Sequence, residues 1–273
     1  MKSVKELKQS VDLQMRKCWG ESCAFFFISA GSIALAAFAW YLTADFLLTM
    51  GIIDSYTSSF MIIITFILAL LLWIITVPYK YGLRWYRLQQ VRGHSVHGKS
   101  VFSCYFSAKR MFQVYRLSLL LFLKRIVLLI PLAVIIGTEI YLISRIGSNG
   151  SSLGYNLVVV VLLMVAVILY IGYNIVNIKY AAAPYIFALG FDRPATEIIN
   201  ESVHFAKSKR GYMIEVLRNC ALMLIPCMLI FPIIFAIPKM MMIYTAAINE
   251  IIESGFAEDR AIVTKRREKS AAG

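Results

Sequence analysis

The run SFMIIITFILALLLWIITV, residues 59–77, decides how this chain must be read. It holds 19 residues and no charge. At about 1.5 Å per residue, a helix of that length covers roughly 28 Å, close to the ~30 Å hydrocarbon core of a bilayer. A helix on the surface of a soluble domain would keep a polar face at the 3.6-residue period. Only Ser59, Thr65 and Thr76 interrupt this run. It reads as a membrane span.

Working outward, similar runs appear on both sides. The one at 23–49 is longer than the roughly 7–15-residue core of a signal peptide and follows about 22 other residues, so a retained span is expected rather than a cleaved leader. Residues 126–142 and 155–174 supply two more. Residues 212–252 are largely apolar and contain Pro226, Pro232 and Pro238. One helix of that length would measure about 60 Å, twice the hydrocarbon thickness. Two spans, 212–231 and 234–252, are expected there, with a single span and a surface helix as the alternative. Of the 273 residues, 60% are hydrophobic and 16% are charged, whereas soluble domains average about 45–50% and about 25%. The expected fold class is all-α: a polytopic integral membrane protein with about six transmembrane helices and amphipathic helices at its cytosolic interface.

Periodicity marks those interface helices. Within an N-terminal segment at 1–22, Val4, Leu7, Val11, Met15 and Cys18 share one helical face, while Lys5, Lys8, Arg16 and Lys17 make the rest basic. Such a helix lies in the headgroup plane or packs on the protein's own cytosolic side. Pro78 is expected to end the second span, with a juxtamembrane helix over 79–92. Residues 194–208 form a short amphipathic helix with Ala195, Ile198, Ile199, Ser202, Val203 and Ala206 on one face. Residues 93–99 read as a polar loop, 146–154 as a Gly/Ser turn, and 254–273 as a basic, flexible cytosolic tail.

Charge sets the orientation. Net charge is +13, from 28 Lys and Arg against 15 Asp and Glu. Counted segment by segment around the expected spans, the cations number five, none, ten, one, five, one and five, with Lys239 alone in the last turn. Cations concentrate in cytoplasmic loops, so both termini are expected in the cytoplasm. The same excess suits an anionic leaflet. No DNA- or RNA-recognition motif accompanies it, so no nucleic-acid partner is expected.

Several local patterns, in order, resemble a bacterial multi-pass family catalogued as domain of unknown function 975. They are Glu6-Leu7-Lys8 before Trp19-Gly20, the basic segment Tyr79 to Arg92, and Phe102-Ser103 with Phe106-Ser107-Ala108-Lys109. Tyr180 with Pro184-Tyr185-Ile186 follows, then Ala195, Glu197, Ser202 and Lys207, and finally Ile237-Pro238 before Glu250. The sequence departs from the family at Lys239, where an aromatic residue is usual. The resemblance implies six helices in a bacterial cytoplasmic membrane and no particular activity.

Candidate chemistry is sparse. Asp45 and Glu139 are the acidic residues placed within or near spans, and an intramembrane ionisable group is a functional candidate because its burial is costly. Lys80, Arg84, Arg87, Lys109, Arg110, Arg116, Lys124 and Arg125 are the candidate contacts for anionic lipid. Glu197, Glu201 and His204 share a helical face, but a solvated polar face accounts for them better than a metal. Gly93 to Ser100 matches G-x-x-x-x-G-K-S literally, but the phosphate cradle needs a preceding strand, and a basic helix precedes it instead. Five cysteines with no CxxC spacing argue against disulfides and zinc. No catalytic constellation, metal or cofactor is expected. The leading expectation is a non-enzymatic membrane scaffold or accessory protein that binds lipid, a protein partner or a second copy of itself. The alternative is a small-molecule or ion transporter using Glu139 and the Pro-broken C-terminal hairpin.

Overall fold

The chain enters its first helix through a capping box. The Ser3 hydroxyl accepts from the Glu6 N–H at 3.3 Å, and the Glu6 carboxylate accepts from the Ser3 N–H at 2.9 Å. Two of the N–H groups that every helix start strands are thereby satisfied. The computed structural model describes residues 2–52, 59–149, 153–190, 193–224 and 230–271. All its elements are helical: α1 Val4–Thr49, α2 Ser59–Val91, α3 Ala108–Asn149, α4 Leu153–Asn177, α5 Ala183–Leu189, α6 Ala195–Lys207, α7 Arg210–Leu224 and α8 Ile230–Ala271. Short 3₁₀ turns at Gly98–Cys104 and Ile178–Tyr180 precede α3 and α5. The expected Gly/Ser turn at 146–154 and Pro226 fall wholly or partly outside the described residues.

Four stretches are long and apolar enough to cross a bilayer: Val4–Thr49, Ser59–Val91, Leu157–Leu189 and Phe235–Arg260. The bent pair Ala108–Val127 and Leu129–Glu139 makes a fifth if it counts as one span. The bend is 61° and falls one turn before Pro131. Proline cannot donate to the carbonyl four residues back and its ring pushes that carbonyl away, which accounts for the bend. This gives four or five candidate spans where six were expected.

Two expected boundaries disappear. The N-terminal helix and the first span are one element, kinked at Cys18, where φ is −121° and ψ is 19°. Pro78 does not end α2, which continues to Val91. The missing Pro78 N–H strands the Ile74 carbonyl, and the Tyr115 hydroxyl donates to it at 2.6 Å. The Tyr105 hydroxyl donates to the neighbouring Ile75 carbonyl. A helix survives an internal proline when another group satisfies the freed carbonyl, and here Tyr115 does so.

The N-terminal helix is packed on the protein itself. Val4, Leu7, Val11, Met15 and Cys18 are each at most 7% exposed and belong to one cluster with Met242, Ile243, Ala246 and Ile248 of α8. The face that its periodicity marks is covered by the protein itself. The register between α1 and α8 is explicit: Trp19 stacks on Phe235 at 5.4 Å, Asp12 pairs with Lys239 at 2.6 Å, and Lys2 pairs with Glu250 at 3.3 Å. Lys8 also donates to Asn219 of α7 at 3.1 Å. Lys239 therefore sits at the same end as the N-terminal helix, not in a turn at the opposite end. Its charge was assigned to a loop because Asp12, more than 200 residues away in sequence, could not be seen as its partner. We call this end of the molecule the base.

The segment expected as a flexible tail begins as helix and stays helical to Ala271. Its first turns are held on α6: Phe205 meets Phe256 edge-on at 5.2 Å, Gly255 lies against the Phe205 ring, and Lys209 pairs with Glu258 at 2.7 Å. α6 follows its pattern, with Ala195, Ile198, Ile199, Ser202 and Ala206 buried and Val203 half-buried.

Candidate functional site

The second half of α2 organises the base. Beyond Val77, the side chains of Tyr79, Tyr81, Leu83, Tyr86 and Leu88 are buried. Lys80 is exposed, and Arg84 and Arg87 are half-buried. These three cations fall at i, i+4 and i+7, one above another on the helix. The Arg84 guanidinium lies 5.3 Å from the Tyr81 ring centroid, within cation–π range. Gly82 is required here, because a Cβ would overlap the Val101 carbonyl oxygen of the first 3₁₀ turn. That turn also buries Cys104, and burial pushes its thiol above the usual cysteine range.

On α3, Lys109, Arg110, Arg116 and Lys124 are exposed and Arg125 is half-buried. Arg125 and Arg84 line the same cavity of about 230 Å³. Asn174 and Asn177 from the end of α4, Tyr185 of α5 and Tyr244 of α8 also line it, and no carboxylate does. Two polar atoms of these residues are buried without a hydrogen-bond partner: Arg125 Nε and Asn177 Oδ1. The Asn177 amide is oriented by its Nδ2, which donates to the Tyr173 carbonyl at 2.9 Å.

Four cations of the base are ion-paired among the described residues. Lys2, Lys209 and Lys239 each hold a carboxylate, and Arg193 holds two, Glu197 at 2.6 Å and Glu201 at 2.7 Å. Among the described residues, Lys80, Arg84, Arg87, Arg116, Lys124 and Arg125 form no ion pair. Glu197 and Glu201 are thus engaged by Arg193, and His204 is exposed beside the Phe205 ring. Among the described residues, no three His, Cys, Asp or Glu side chains are grouped to hold a metal.

Asp45 is exposed near the end of α1, where its carbonyl accepts from the Thr49 hydroxyl at 2.8 Å. Glu139 is half-buried on α3 beyond the bend. Neither lines the Arg84–Arg125 cavity. Gly93 to Ser100 runs from the end of α2 into the 3₁₀ turn, so a helix precedes it, not a strand. Sequence reasoning named Arg84 and Arg125 but missed Asn174, Asn177 and Tyr244. The asparagines carried a signal: two amides one turn apart, closing an otherwise apolar helix.

Comparison with protein-family models, with curated proteins and with solved structures finds no match. The residues themselves define the class: among the described residues, an all-helical protein with four or five helices able to cross a membrane, joined to a packed base that carries cations without ion pairs.

Proposed function

We propose that this chain is a non-enzymatic, multi-pass protein of a bacterial cytoplasmic membrane, with its base and both termini in the cytoplasm. Its basic collar binds the anionic leaflet, and the base serves as a scaffold or accessory surface for a protein partner or a second copy. The resemblance to the family of domain of unknown function 975 supports the membrane and the bacterial setting. α1 to α4 account for four crossings. We assign α7 and α8 to the base rather than to a fifth and sixth crossing, because Asp12, Trp19 and Lys2 pair with side chains on α8 from Phe235 to Glu250.

The observation that carries the reading is the unpaired collar. Lys80, Arg84, Arg87, Arg116, Lys124 and Arg125 gather on α2 and α3 and have no ion pair among the described residues. Each cation near an anionic surface is worth about 1 kcal/mol. The transport alternative has less support: Pro238 is buried inside a continuous α8, and Glu139 lies apart from the polar cavity.

The test is enrichment of a labelled anionic lipid around the full chain in mixed phosphatidylglycerol–phosphatidylcholine vesicles. Enrichment is expected at low salt, with decline as salt shortens the Debye length from roughly 10 Å to roughly 3 Å. It should weaken when Lys80, Arg116 and Lys124 are replaced together by Gln. Equal residence of the two lipids at low salt overturns the reading.

A further inference from the structure

We infer that the Arg84–Arg125 cavity is a specific site for one phosphodiester headgroup bearing a free hydroxyl. This deepens the lipid-binding reading and rests on it. The cavity brings two guanidinium groups from different helices together with no carboxylate among its lining residues. Neither arginine forms an ion pair among the described residues. Guanidinium groups match phosphate oxygens through fork-like, two-point hydrogen bonding.

Two orphaned atoms give the site its polarity. Arg125 Nε is a buried donor without an acceptor, and Asn177 Oδ1 is a buried acceptor without a donor. Buried polar groups are rarely left unmatched, so each one points to a missing partner. A phosphodiester with a hydroxylated headgroup supplies both: phosphate oxygens for the arginine and a hydroxyl proton for the asparagine. The Asn177 oxygen is free to accept because its Nδ2 is already committed to the Tyr173 carbonyl at 2.9 Å.

Size and position agree. A volume of about 230 Å³ suits a headgroup and lies below the roughly 300–1,000 Å³ typical of drug-sized ligands. The cavity reaches the outer face of α4, where exposed Asn174 lines it and exposed Ile171 and Ile175 flank that position. Acyl chains have an apolar track there, while the phosphate stays with the arginines.

The experiment uses the full chain in neutral detergent, with native mass spectrometry and titrations of phosphatidylglycerol, phosphatidylcholine, phosphatidic acid and glycerophosphoglycerol. One phosphatidylglycerol is expected to survive activation that strips phosphatidylcholine. Arg84→Gln and Arg125→Gln should each weaken it at least tenfold, and Arg125→Lys, which keeps charge but loses the fork, should weaken it measurably. Asn177→Leu should reduce the preference for phosphatidylglycerol over phosphatidic acid, which has no headgroup hydroxyl. Displacement by glycerophosphoglycerol as readily as by the lipid assigns the site to a soluble phosphodiester; resistance to it assigns the site to the membrane. Unchanged retention in folded Arg84→Gln, Arg125→Gln and Arg125→Lys proteins overturns the inference. If vesicle enrichment persists in those proteins, the collar reading stands without this site; if enrichment is absent in the unaltered chain, the collar reading itself is lost.

Discussion

The Tyr115 hydroxyl donates to the Ile74 carbonyl at 2.6 Å, and Ile74 is the residue whose carbonyl Pro78 leaves without its helical donor. The contact crosses from α3 to α2 at the point where an uninterrupted apolar run gives way to the base. In a bilayer no water replaces a lost donor at that depth.

Tyr115→Phe is therefore expected to destabilise the protein by about 0.5–2 kcal/mol. With Pro78→Ala, the alanine N–H restores the helical bond, and the Tyr115 substitution should cost close to nothing. Unfolding in detergent across the four-protein cycle measures this coupling. Equal costs in both backgrounds would show that the hydroxyl does not serve the stranded carbonyl.

Gly82 has no room for a side chain, since a Cβ would meet the Val101 carbonyl oxygen. Gly82→Ala must displace the 3₁₀ turn or α2, and overpacking of this kind costs about 1–3 kcal/mol or more. Gly20→Ala, with nothing within 4 Å of its added Cβ, is the control and should be near neutral. Thermal unfolding of the two variants side by side gives the comparison.

Asp12 and Lys239 lie 2.6 Å apart, so a carbodiimide should join them directly. Peptide mapping of treated membranes is expected to recover a linkage between positions 12 and 239, absent from Asp12→Asn. Recovery of Lys239 modified by an outside-only amine reagent would instead return it to the opposite face.

Glu139→Gln should leave expression, thermal stability and anionic-lipid enrichment unchanged, because Glu139 lies away from the collar cavity. A selective loss of a transport phenotype in this variant would favour the transport reading over the lipid-binding one.

What was legible in the sequence was local. The face of Val4, Leu7, Val11, Met15 and Cys18 is buried as its spacing required, yet nothing in that spacing named α8 as its cover. Pro78 was expected to stop a helix by a rule about its own neighbours, whereas its rescue comes from Tyr115, whose side chain arrives from another element. Lys239 was counted as a loop charge for the same reason. Arg84 and Arg125 were both recognised as cations near a membrane surface, but their convergence with Asn177 depends on how α2, α3 and α4 assemble. Composition and period report which residues must hide; partners distant in sequence decide where.

In the proposed membrane arrangement, the continuity of α2 through Pro78 also fixes how deep the molecule rides. From Pro78 to Val91 the helix extends roughly 20 Å beyond its apolar run, already enclosed by neighbouring elements. Lys80, just past Pro78, is exposed and resists being drawn into hydrocarbon. A bilayer that thickens or thins therefore cannot be matched by sliding at this end. The whole adjustment falls on the opposite ends of α1 and α2, near Thr49 and Ser59. In that arrangement hydrophobic mismatch is felt on one side only, and the protein takes its depth from the leaflet that its cations face.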